Sequence, residues 1–112
     1  MPALPTHVEV AGLLRRTAAD GDFAAVIRRG DEERGALLLV VSSRGRHVAC
    51  LERLLDLDGG YRWQRAGPAS ESGSAEVASF LASRARFDED SWVIELDVAD
   101  PERFIAETTA AG

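Results

Sequence analysis

At 112 residues, with 46% hydrophobic and 29% charged, the chain reads as a single globular domain, 1–112, able to bury a core without disulfides or metals. A net charge of −6 argues against nucleic acid, which wants a basic face, and apolar runs such as 36–41 fall far short of the about 20 residues that cross a bilayer. The single cysteine, Cys50, excludes an internal disulfide, and with no basic, apolar leader at the N-terminus the pattern fits the cytoplasm.

Elements follow in chain order. Thr6 and Glu9 stand at capping-box spacing, and Val10, Leu13, Leu14 and Thr17 then mark one helical face. This predicts a helix over 6–20, closed by Gly21 and carrying Arg15 and Arg16 near its C-terminal end. Residues 23–29 are short and apolar between polar turns, which predicts a strand. The polar turn 30–35 leads to 36–42, an unbroken leucine and valine run suited to a central strand covered on both faces. Ser43-Arg44-Gly45-Arg46 reads as a hairpin turn, with Gly45 supplying positive φ. A third strand spans 47–55, although 51–57 would also fit a helical turn, and Asp58-Gly59-Gly60 ends it. Tyr61, Trp63 and Arg65 alternate along a fourth strand at 61–66.

Residues 67–73 form a Pro, Ser and Gly loop, the segment expected to be most mobile. Ser72 or Ser74 then caps a second helix with Val77, Phe80, Leu81 and Ala85 on its apolar face, running to about Arg86. Phe87 is expected to close that helix onto the core, with Asp88 and Asp90 supporting the turn. A fifth strand spans 91–98. Asp100 and Pro101 then open a short last helix anchored by Phe104 and Ile105, with fraying expected at 1–5 and 108–112. The order α-β-β-β-β-α-β-α argues for an α+β fold with a mainly antiparallel sheet of about five strands.

Several blocks resemble the bacterial domain-of-unknown-function family 1491. They are Leu13-Leu14-Arg15-Arg16, the run from Gly21 to Asp31, Gly35, Glu76-Val77 with Phe80-Leu81 and Arg84, and the run from Arg86 to Glu95. The similarity covers roughly 8–97. Departures include Glu89 where the family pattern has Pro, Phe80 where it has Tyr, and the end at 97–100. The resemblance implies a small cytoplasmic bacterial domain, with no catalytic residues, cofactor or substrate to carry over.

All of the 13 basic residues are Arg. Without lysine the chain has no ε-amine for Schiff-base, general-base or P-loop chemistry. The arginines fit either bidentate contact with carboxylates and phosphates or a coding bias that also explains the many Ala and Gly. In the fifth strand Trp92, Ile94, Leu96 and Val98 point one way, and Ser91, Val93, Glu95 and Asp97 the other. Glu95 and Asp97 would stand about 6.5–7 Å apart, close enough to grip one cation, or to lie on a solvated face paired to Arg28 or Arg29.

Arg28-Arg29-Gly30-Asp31 is the other ligand candidate. Successive strand residues point to opposite faces, so a single fork around a phosphate needs a bulge. The candidate functional surface is therefore Arg28, Arg29, Asp31, Glu95 and Asp97. Neither His7, His47 and Cys50 nor Asp88-Glu89-Asp90 makes a convincing metal set, and no cofactor motif is present. Tyr61, Trp63 and Arg65 could stack single-stranded bases, or form a half-buried face in which the Arg stem covers the rings. No catalytic constellation stands out, and an open sheet leaves edge strands. The sequence therefore points to a binding domain that associates with itself or a protein partner. The alternative is an enzyme or small-ligand domain for an anionic substrate.

Overall fold

A computed structural model describes residues 4–55 and 57–110. They form α1 (Thr6–Ala19), β1 (Phe23–Arg28), β2 (Leu37–Ser43), β3 (Arg46–Leu55), β4 (Tyr61–Ala66), α2 (Ser74–Phe87), β5 (Trp92–Asp97) and α3 (Pro101–Ala110). The strands make one sheet in the order β1-β5-β2-β3-β4.

Turn chemistry sets the antiparallel part. Arg44 and Gly45 both take positive φ, 54° and 79°. That is type I′ geometry, whose twist suits a two-residue hairpin. β2 therefore folds straight back on β3, with Ser43 opposite Arg46. β4 returns along β3. Next, α2 carries the chain over the sheet, and β5 enters between β1 and β2. It runs antiparallel to β1 and parallel to β2. The sheet is thus mixed, and mainly antiparallel: a helical crossover, unlike a tight turn, can deliver a parallel neighbour.

Each face of the sheet is covered by helix. Trp92, Ile94 and Leu96 share one face with Leu37, Leu39, Val41 and Leu51, and α1 and α3 pack there through Val10, Leu13, Leu14, Phe104 and Ile105. On the other face Val77, Phe80 and Leu81 of α2 pack on Leu38, Val40, Cys50 and Val93. Five consecutive β2 residues are consequently buried, which is why that strand is apolar on both sides.

Local expectations fail where a distant group competes. Pro5, not Thr6, occupies the N-cap of α1, and no side chain caps it. Thr6 is instead buried, its hydroxyl 3.2 Å from the carbonyl oxygens of Glu33 and Gly35. Glu9 pairs with Arg53 rather than with the helix terminus. Gly73, rather than Ser72 or Ser74, is the N-cap of α2. Phe87 does not close α2 onto the core; it is 87% exposed, because α2 seats on the sheet through Val77, Phe80 and Leu81. The 51–57 alternative resolves to strand as far as Leu55, and residue 56 lies outside the described residues. The expectation of frayed ends falls partly on residues 1–3, 111 and 112, also outside the described residues; 108–110 are helical.

Candidate functional site

β1 and β5 bring the candidate polar residues to one region without joining them. Phe23 stands opposite Asp97 and Ala25 opposite Glu95; a bulge between Val26 and Arg28 then sets Arg28 opposite Val93. Arg28 reaches the loop after α2, its Nη1 3.3 Å from the Asp88 carbonyl oxygen and its Nη2 2.6 Å from that of Glu89. Arg29 goes elsewhere. Its guanidinium lies 5.0 Å from the centre of the Trp92 ring and 3.8 Å from the Glu32 carboxylate. The cross-sheet pairing of Arg28 or Arg29 with Glu95 or Asp97 does not form among the described residues, because the backbone carbonyls and the Trp92 ring take the guanidinium groups first.

The carboxylates are structural where their partners are visible. Asp31 accepts the backbone N–H groups of Glu33 and Arg34 at 3.1 and 2.8 Å, closing the turn between β1 and β2. Its carbonyl accepts the Trp92 indole N–H at 2.7 Å, so a single residue fixes both the turn and the largest core side chain. Gly30 lets the turn lie against Asp90, whose carbonyl oxygen accepts the Asp31 N–H at 2.9 Å: a Cβ on Gly30 would lie 2.1 Å from that oxygen. Asp97 accepts both amides of the β2–β3 turn, from Arg44 and Gly45, each at 2.9 Å. Glu95 shares an open depression of about 490 Å³ with Asp97, Phe23 and Arg44.

Metal and thiol chemistry find no assembled site. Among the described residues no group of three His, Cys, Asp or Glu side chains could hold a metal ion. The rings of His7 and His47 instead bond to the carbonyls of Glu32 and Pro68, at 3.0 and 3.1 Å. Cys50 is buried, and burial pushes its thiol up to about 11. A nucleophilic thiolate needs the reverse shift.

Beside these charged groups the fold also exposes apolar side chains. α2 covers β2, β3 and β5 but leaves β1 open, and Phe23 and Ile27 are 55% and 50% exposed. β1 is also a sheet edge, so one side of its backbone has no neighbouring strand among the described residues. The opposite edge, β4, carries the exposed side chains of Arg62 and Arg65, a usual guard against strand addition. From Phe23 to Ile27, β1 has no charge at all. The sequence reading weighed the neighbouring polar groups and passed over Phe23 and Ile27. Their signal was the missing charge, but it has meaning only once the strand is known to be an edge.

A second concavity, of about 520 Å³, lies between α1 and α3. Its floor is Leu37, Leu39 and Trp63; Val8, Gly12 and Leu13 line one wall and Phe104 and Thr108 the other. Arg53 lies at its inner end with a side chain only 7% exposed, ion-paired to Glu9 and 4.1 Å from the centre of the Tyr61 ring. One face of the Tyr61 ring thus lies against Arg53 of the neighbouring strand, and the residue stays exposed.

The family model described as "Protein of unknown function (DUF1491)" matches residues 4–106. A crystal structure of a DUF1491 family protein from Caulobacter crescentus CB15 is similar, with a TM-score of 0.75 at 30% identity over 88% of this chain and 92% of that one. An NMR structure of a DUF1491 family protein from the same strain gives 0.78 at 29% identity, over 90% and 91% of the two chains. The solution structure of a protein from A. tumefaciens gives 0.72 at 28% identity, over 85% and 86%. No curated protein matches the chain.

Proposed function

This chain belongs to the DUF1491 family, and we propose that it is a non-catalytic binding domain that pairs with a second copy of itself along the free edge of β1. One observation carries this reading: β1 is an edge strand without charge from Phe23 to Ile27, and Phe23 and Ile27 are half exposed. Antiparallel pairing about a twofold axis at Ala25 brings Phe23 of each copy near Ile27, the residue at the β1 bulge, of the other. An aromatic and a β-branched residue face one another favourably in that position. The same pairing brings Asp22 near Arg28, opposite charges at each end of the joint. A reducing cytoplasm suits such a protein, whose single thiol is buried and unpaired.

Sedimentation velocity at micromolar concentration tests the proposal. The wild type sediments as a dimer, whereas Ile27→Lys sediments as a monomer with an unchanged circular dichroism spectrum. A monomeric wild type overturns the reading, as does an Ile27→Lys protein that remains dimeric.

A further inference from the structure

The cleft between α1 and α3 combines an apolar floor with two arginines that make no ion pair or hydrogen bond among the described residues. Arg15 and Arg16 both line it. They lie back over Gly12: a Cβ at that position would be 3.3 Å from Nη1 of Arg16 and 3.9 Å from Nη2 of Arg15. Neither guanidinium has an ion pair or hydrogen bond among the described residues. Arg53, deeper in, is already neutralised by Glu9. The lining therefore keeps two unbalanced positive charges in a chain whose net charge is −6.

Gly12 is otherwise a poor choice inside a helix, where it weakens the element. Here the bare backbone leaves room at the cleft mouth, where the ends of both arginine side chains lie. The volume is in the range of small-ligand sites, which are mostly apolar with a few placed polar groups.

From this geometry we infer that the cleft is a binding site for a small amphipathic anion. The anionic head lies between Arg15 and Arg16, with charge-assisted hydrogen bonds to both. The apolar body lies on Leu37, Leu39 and Trp63, against Phe104. This site is independent of self-association, since its floor belongs to β2 and β4 and not to β1.

Titration calorimetry with octanoate, octyl phosphate and octanol tests the site, with Trp63 fluorescence as a second readout. Octanoate or octyl phosphate binds the wild type, and octanol, with the same body and no charge, binds far more weakly. The tighter of the two anions identifies the head as carboxylate or phosphate. The double variant Arg15→Ala/Arg16→Ala loses affinity for the anion about tenfold or more while its octanol binding is unchanged. Gly12→Leu, which favours the helix, fills the mouth and removes binding of all three. No binding of either anion, equal binding of octanol, or an undiminished affinity in the double variant overturns the inference.

Discussion

Cys50 has no exposed surface, and burial raises its thiol from 9.0 to about 11 against a smaller opposing pull from the Arg84 guanidinium. Between those values the unfolded chain gives up a proton that the native state keeps. The associated stability is whole below pH 9.0 and is lost as pH rises toward about 11. In urea unfolding the wild type will lose on the order of 2–3 kcal/mol over that interval that Cys50→Ala does not lose. The role of Trp92 as a core residue was legible, because Trp92, Ile94, Leu96 and Val98 alternate along the strand with Ser91, Val93, Glu95 and Asp97. The role of Arg53 was not. Arginine is mostly exposed in proteins, yet this side chain is 7% exposed against Glu9, a residue 44 positions away. Nothing near either residue in sequence signals that pairing.

The β2–β3 hairpin shows how far local chemistry reaches. Arg44 and Gly45 announce a tight turn, and the turn forms as expected. What anchors it is Asp97, whose carboxylate accepts both turn amides from the end of the parallel strand β5. Ser43 adds a 2.8 Å hydrogen bond to the Val98 carbonyl beside it. Asp97→Ala therefore lowers stability by about 1–3 kcal/mol in urea unfolding, the worth of hydrogen bonds to a charged group whose donors are partly open to water. A cation-binding role predicts a different result, namely a thermal shift with Mg²⁺ in the wild type that the variant lacks. The same competition between near and distant partners separates expectation from outcome in α1. Thr6 and Glu9 have capping-box spacing, but the carbonyls of Glu33 and Gly35 and the guanidinium of Arg53 take their side chains. Likewise Phe87, read as a core anchor, ends α2 beyond the patch of sheet that α2 covers.

At the scale of the whole molecule, charge and exposed apolar surface oppose one another. Each copy carries −6, so two copies repel at long range. Salt shortens that repulsion to about 10 Å at 0.1 M and about 3 Å at 1 M. The dimer fraction in sedimentation will rise from low salt to 1 M NaCl if Phe23 and Ile27 carry the contact. A fraction that falls with salt would assign the contact to Asp22 and Arg28 instead. Among the described residues no helix is long and apolar enough to cross a membrane, which agrees with the short apolar runs. The sequence by itself determined the α+β class, the element order, the doubly buried β2 and the hairpin turn. Each of these depends on periodicity or turn residues within a few positions of one another. Tertiary structure alone decided that β1 is an edge, that Arg28 and Arg29 part from Glu95 and Asp97, and that a cleft opens beneath Arg15 and Arg16. All three follow from α2 carrying β5 between β1 and β2 and from α1 and α3 settling on one face. Those contacts join residues far apart in the chain, which no local pattern specifies.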